Sequence, residues 1–89
     1  MTYTVEFAPA AKRQLRKLPL KTKRRIIKCV EGLEKYPRPP GARKLADSDN
    51  LYRIRTGNYR IIYQVEDEIL FVLVIKIGDR KDVYKSLLR

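Results

Sequence analysis

Four arginines and a tyrosine carry the chemistry this sequence offers: Arg53, Arg55, Arg60, Arg80 and Tyr84. A guanidinium presents forked donors that match phosphate oxygens, and it stabilises negative charge where that charge develops. Its pKa, above about 12, makes arginine a poor general base near neutrality, and tyrosine, ordinarily near 10, is closer but not ideal. The chain has no histidine, and its Asp and Glu residues are few and scattered. The usual general base and the usual transition-metal ligand are therefore missing, and neither a metal nor a cofactor is expected. Such a set suits phosphodiester cleavage in RNA. The ribose 2′-OH is an internal nucleophile, so the protein has only to hold the 2′-oxygen, the phosphorus and the leaving 5′-oxygen in line and to stabilise the phosphate charge.

These residues need a sheet to position them. In Leu51 to Thr56, alternation puts Leu51, Arg53 and Arg55 on one side of a strand and Tyr52 and Ile54 on the other. Gly57-Asn58 is a hairpin signal, and Tyr59 to Val65 is a β-branched and aromatic run. With a two-residue loop, Thr56 pairs with Tyr59, Arg55 lies opposite Arg60, and Arg53 lies opposite Ile62. Like charges directly across a ladder are destabilising. A purely structural sheet has no reason to collect them, whereas an anionic ligand turns the repulsion into attraction. Ile69 to Ile77, the most apolar run, reads as a third strand, antiparallel to the second through a turn at Asp67-Glu68 and central or covered on both sides. Its return brings Gly78-Asp79-Arg80 beside Arg60 and the Gly57 turn, so Arg80 joins the cluster, and Tyr84 follows one helical turn later. Tyr52, Tyr59 and Tyr63 read as sheet packing rather than base stacking. Lys76 and Lys81 read as solvated, with a phosphate contact as the alternative.

The rest of the chain builds the support. Thr2 to Phe7 reads as a short strand, and Pro9 suits the first turn of a helix. Ala11, Leu15 and Leu18 make a narrow apolar stripe. Pro19 starts a second helix whose buried side is expected to hold Leu20, Ile26, Ile27, Val30, Leu33 and Tyr36, with Cys29 a packed thiol nearby. Pro37 to Gly41 ends that helix in a stiff loop, and Ala42 to Asn50 is a polar connection anchored by Leu45. Asp82 offers a cap for a short C-terminal helix over Val83 to Leu88; the alternative is an irregular end. The order is β-α-α-β-β-β: a single α+β domain over residues 1–89, with an N-terminal strand and a two-helix hairpin packed on an antiparallel β-sheet.

Charge narrows the partners. The 89 residues hold 21 Lys+Arg against 10 Asp+Glu, a net charge of +11, which points to nucleic acid or another polyanion. Nine of those cations, Lys12, Arg13, Arg16, Lys17, Lys21, Lys23, Arg24, Arg25 and Lys28, fall between Phe7 and Val30 with no acidic residue among them. The run reads as a phosphate-backbone surface. A single cysteine allows no intrachain disulfide and suits a reducing compartment. No apolar run is long enough to span a membrane and no signal peptide is evident, so a cytoplasmic location is expected.

The passage Leu51 to Tyr63 (LYRIRTGNYRIIY) and the ending Ile77 to Tyr84 (IGDRKDVY), behind an opening strand and a basic helical hairpin, resemble RelE-type toxins of the RelE/ParE toxin–antitoxin superfamily over nearly the whole chain. The resemblance implies an endoribonuclease that cleaves mRNA in the ribosomal A site without metal. It would act by 2′-OH attack, leave a 2′,3′-cyclic phosphate and a 5′-OH, and so inhibit translation. It implies that Arg60 stabilises the transition state and that Arg80 does so too or assists the leaving oxygen. Arg53 and Arg55 stand where relatives bind the phosphate and assist the 2′-OH. Tyr84 would stack on or orient the nucleotide; apart from the resemblance, Lys81 beside Arg80 is a candidate for substrate binding through a phosphate contact. The basic helices would dock on 16S rRNA, and a RelB-like antitoxin would be the cognate partner. Some relatives carry lysine at the positions of Arg53 and Arg55. Arginine does not replace lysine as a base, so the general base is left open. Two other readings stand beside this one: a ParE-like gyrase inhibitor on the same fold, and a noncatalytic nucleic-acid-binding module.

Overall fold

The computed structural model describes residues 2–46 and 48–79. Strand β1 (Thr4–Phe7) leads into helices α1 (Pro9–Arg16) and α2 (Leu20–Gly32). A two-residue strand β2 (Arg43–Lys44) follows, then β3 (Leu51–Thr56), β4 (Tyr59–Glu66) and β5 (Phe71–Asp79). The sheet order is β1-β5-β4-β3-β2.

Both helices begin on proline signals. Pro9 occupies the first turn of α1, and Pro19, in an extended conformation, caps α2. There the missing N–H is one that a helix start leaves unpaired in any case. Arg13 and Arg16 fall in the last turn of α1, the negative end of its dipole.

The ladder from β3 to β5 is antiparallel as expected, β2 adds an antiparallel edge strand within the expected polar connection, and β1 joins the other edge in parallel, with Thr4 opposite Phe71 and Phe7 opposite Val74. The sheet is therefore mixed. The expected turn at Asp67-Glu68 is longer than two residues. A 3₁₀ turn, Asp67–Ile69, precedes Leu70, which reverses the chain at a left-handed φ of 50°.

One sheet face carries the core. Ile61, Tyr63 and Val65 from β4 meet Val72, Val74 and Ile77 from β5 beneath Ala11, Ile26, Val30 and Leu33 from the helices and the turn after α2. Three residues expected on the buried side of α2 are not there: Leu20 is 59% exposed, Ile27 37% and Tyr36 69%. The helix buries only a narrow stripe, because it rests on the sheet along one line and Tyr36 lies in the turn beyond its end. Cys29 packs half-buried against the core, and that burial pushes its thiol pKa up.

A β-bulge shapes the other face. Ile62 pairs with Lys76 but Tyr63 pairs with Val74, so Ile75 is an extra residue in β5. Just beyond it, the Gln14 side-chain oxygen of α1 accepts a hydrogen bond of 2.7 Å from the Ile77 amide. The bulge keeps Ile77 in the core with Val72 and Val74, and Lys76 turns to the face opposite the helices. The expected C-terminal helix lies outside the described residues.

Candidate active site

The β3–β4 hairpin has the expected register: Thr56 pairs with Tyr59, Arg55 with Arg60, and Arg53 with Ile62. Gly57 supplies the turn at φ 61°. Direct partners in a ladder share a face, so Arg53, Arg55 and Arg60 stand together on the face away from the helices. Arg55 is exposed; Arg53 and Arg60 are half-buried.

The structure adds two cations to that face. Arg43 of β2 is the direct partner of Arg53, and half-buried Lys76 of β5 is the direct partner of Ile62. Reading β2 as irregular connection hides Arg43. Unbroken alternation from Val72 and Val74 would send Lys76 into the core, and only the bulge reverses it. On the β5 side Arg60 faces Gly78, which offers no side chain. At the centre of this ring Ile62 is 0% exposed. The site is thus a cluster of cations over a buried apolar residue that has no surface of its own to offer a ligand, and its exposed groups suit phosphate oxygens. Arg80, Lys81 and Tyr84 lie outside the described residues.

The tyrosines that sequence alone assigns to packing do pack. Tyr52 and Tyr63, direct cross-strand partners on the core face, stack with ring centroids 5.9 Å apart. Tyr59 also lies against the core. Tyr63 donates a 2.7 Å hydrogen bond to the Pro37 carbonyl, and burial pushes its hydroxyl pKa well up, so it is no candidate base.

A second polar constellation lies by the β4–β5 turn, the end of the sheet away from the Gly57 turn. The Asp67 carboxylate accepts from Tyr3 Oη at 2.6 Å and from Arg38 Nη1 and Nη2 at 3.1 and 2.6 Å, while Arg38 Nε donates to Tyr52 Oη at 2.9 Å. The Arg38 guanidinium holds the Asp67 carboxyl below its ordinary range; Asp67 in turn pushes the pKa values of Tyr3 and Arg38 up. This group ties β1, the proline-rich loop and the β4–β5 turn together. It is satisfied within the fold, so it reads as structural.

The basic run occupies the helices as a separate surface. Of the nine cations only Lys23 is half-buried; Lys12, Arg13, Arg16, Lys17, Lys21, Arg24, Arg25 and Lys28 are exposed. Among the described residues none of them makes an ion pair. Lys21 and Lys23 lie near the start of α2, where the helix dipole is already positive and no acidic residue offsets them. One member leaves the group: Arg25 Nη1 lies 3.0 Å from where a Cβ on Gly57 would sit, so it touches the hairpin tip. Among the described residues no helix is long and apolar enough to cross a membrane, and no three His, Cys, Asp or Glu side chains gather as a metal-ligand group.

Comparison with known proteins agrees with this architecture. The family model described as ParE toxin of type II toxin–antitoxin systems matches residues 5–84. Toxin RelG of Mycobacterium tuberculosis is 30% identical over 86 residues, covering 96% of this chain and 99% of that protein. The mRNA interferase toxin RelE of Escherichia coli is 32% identical over 93 aligned positions, covering 100% and 97%. The RelE–RelB complex of Pyrococcus horikoshii superimposes with a TM-score of 0.82 at 31% identity, covering 93% of this chain and 100% of that one. The cationic sheet face and basic helical hairpin therefore belong to a toxin of the type II toxin–antitoxin systems, a RelE-like member of the RelE/ParE superfamily.

Proposed function

We propose that this toxin is a ribosome-dependent endoribonuclease that cuts mRNA at A-site codons. The observation that carries the reading is the direct pairing of Arg55 with Arg60, with Arg53 and Lys76 beside them, on the face away from the helices. A polyanionic transition state accounts for that collection, and the relative in Escherichia coli is named an mRNA interferase.

In the reaction the ribose 2′-oxygen forms a bond to phosphorus and the P–O5′ bond breaks, giving a 2′,3′-cyclic phosphate and a 5′-OH. The 2′-OH proton leaves to a base or to solvent, and the departing 5′-oxygen gains a proton. Arg60 stabilises charge on the non-bridging oxygens. Arg53, Arg55 and Lys76 hold the phosphate, and holding it in line with the 2′-oxygen supplies much of the rate. Arg80 assists Arg60 or the leaving oxygen and Tyr84 orients the nucleotide, both on the family resemblance, and Lys81 binds substrate through a phosphate, on its place beside Arg80 in the sequence. The exposed cations of α1 and α2 dock on 16S rRNA, whose phosphates they neutralise. No step is routed through a metal. In the cytoplasm a RelB-like antitoxin with an acidic segment would cover the same surfaces. The Pyrococcus horikoshii relative was solved with its RelB.

The matching family model is that of ParE toxins, and it favours one second reading, inhibition of gyrase by binding alone. Translation of a defined message with purified components, with cuts mapped by primer extension, separates the two. Ribosome-requiring cuts within A-site codons that vanish in Arg60→Ala plus Arg80→Ala support the nuclease. A folded wild-type protein that blocks growth but cuts nothing supports the gyrase reading.

A further inference from the structure

Arg25 departs from the other helix cations, and its placement points away from the ribosomal surface. Its Nη1 sits 3.0 Å from the position of a Cβ on Gly57, a residue held at φ +61°. Glycine both permits that backbone angle and leaves room for the guanidinium. The turn so approached is flanked by Arg55, two residues before Gly57, and by Arg60, three residues after. Those two arginines occupy the face away from the helices, whereas Arg25 arrives from α2 on the helix side. The hairpin tip therefore carries guanidinium groups on both sides of the sheet.

Repulsion alone does not produce this. Arg25 is exposed and makes no ion pair among the described residues, and it could extend into solvent with its neighbours on α2. The hairpin itself holds no carboxylate between Leu51 and Val65, and the acidic residue in register with its tip, Asp79 opposite Tyr59, makes no ion pair with Arg25. A ligand that satisfies all three cations must carry negative charges in series, spaced to pass over an edge. Gly57 and Asn58, both exposed, form an edge only two residues wide. A duplex or a folded rRNA surface meets a broad face, whereas a single strand can bend over such a tip.

We infer that the Gly57-Asn58 tip and Arg25 form a second phosphate subsite for the RNA substrate strand. The strand crosses the tip, Arg25 holds one phosphate on the helix side, and the Arg55–Arg60 pair holds the phosphate at the cleaved bond. The inference rests on the reading of the protein as an RNA-cutting toxin, and it reassigns Arg25 from ribosome docking to substrate binding.

Binding of a short fluorescent single-stranded RNA, made uncleavable by 2′-deoxy sugars, tests it by anisotropy across a salt series without requiring cleavage. Arg25→Ala should reduce the slope of log Kd against log salt by about 0.7, the value for one phosphate contact on a single strand, and Arg25→Lys should keep it. Replacing phosphates one at a time by neutral methylphosphonate should reveal one position that weakens wild-type binding and has no effect in Arg25→Ala. Circular dichroism of each variant confirms the fold. An unchanged slope, an Arg25→Ala effect equal at every phosphate, or no wild-type binding at low salt overturns the subsite. So does loss of binding to an acidic peptide with none to RNA, which would make the tip an antitoxin contact. A-site cuts by Arg25→Ala at the wild-type rate and position, with an unchanged salt slope, would sink the subsite and leave the nuclease reading standing. A full Arg25 signature without cuts would do the reverse.

Discussion

Arg55 faces Arg60 directly across the β3–β4 ladder, one pair in from the Gly57-Asn58 turn. Two like charges at paired positions act against the hairpin, at a cost of roughly 0.2–1 kcal/mol. Replacing Arg55 with threonine, a good strand former, should therefore stabilise the protein by that amount in urea unfolding. The gain should shrink as salt is raised. RNA cleavage should fall in the same variant. Destabilisation by Arg55→Thr would mean that the pair is held by something within the fold rather than kept for a ligand.

Arg60 carries the larger catalytic load in this reading. Its side chain is half-buried, and the ladder position on its β5 side is Gly78. Arg60→Ala should lower the single-turnover cleavage rate about 10²–10³-fold, the range for loss of one donor to a developing oxyanion. Binding of uncleavable RNA should weaken far less. Equal losses in both measurements would assign Arg60 to ground-state binding instead.

Lys76 should behave as a phosphate ligand. Its partner across the ladder is the buried Ile62, which places it on the arginine face. Removing a charge-assisted hydrogen bond worth about 1.5–3 kcal/mol lowers kcat/KM by roughly ten- to a hundredfold. Lys76→Gln should show that loss in the primer-extension assay, while its melting temperature stays close to wild type. A variant as active as wild type would return Lys76 to the solvated surface.

Much of this site was legible because Gly57-Asn58 pins a two-residue loop, and that fixes every pair in the hairpin. Arg55 opposite Arg60 and Arg53 opposite Ile62 follow by counting. Lys76 was hidden for the complementary reason. One extra residue at Ile75 inverts the alternation, and nothing in the apolar run from Phe71 to Ile77 marks which residue is extra. Arg43 was missed because a two-residue strand leaves no periodic trace. The parallel docking of β1 and the pairing of Arg38 with Asp67 depend on contacts between segments far apart in sequence, which local patterns do not encode. Leu20, Ile27 and Tyr36 mislead in the opposite sense. Helical spacing identifies apolar residues near a face, but the width of the contact decides which are covered.

Ile62 links stability to the site. It is fully buried, yet it lies on the cationic face among Arg53, Arg60 and Lys76 rather than in the main core. Ile62→Val should cost roughly 0.5–1.5 kcal/mol and Ile62→Ala about 2–5 kcal/mol in urea unfolding. Cleavage by the folded valine variant should fall as well, because Arg53 and Lys76, its direct ladder partners, lose part of the packing that holds them in place. A valine variant with lower stability and undiminished cleavage would show that Ile62 does not position the cations.

The Asp67 constellation predicts a small acid-side loss of stability. Hydrogen bonds from Arg38 and then Tyr3 lower the folded carboxyl pKa below its unfolded value. The stabilisation is therefore complete above the ordinary carboxylate value of about 4, and it fades as pH falls through the depressed folded value. Asp67→Asn keeps the shape but removes the titration. Urea midpoints at pH 6 should place the wild type above Asp67→Asn, and the gap should narrow at pH 3 and below. The gap should be modest and salt-sensitive, because the Arg38 and Asp67 side chains are 40% and 55% exposed. Parallel pH profiles for the two proteins would show that the Arg38 bridge holds the proline-rich loop without contributing to the stability of the folded chain.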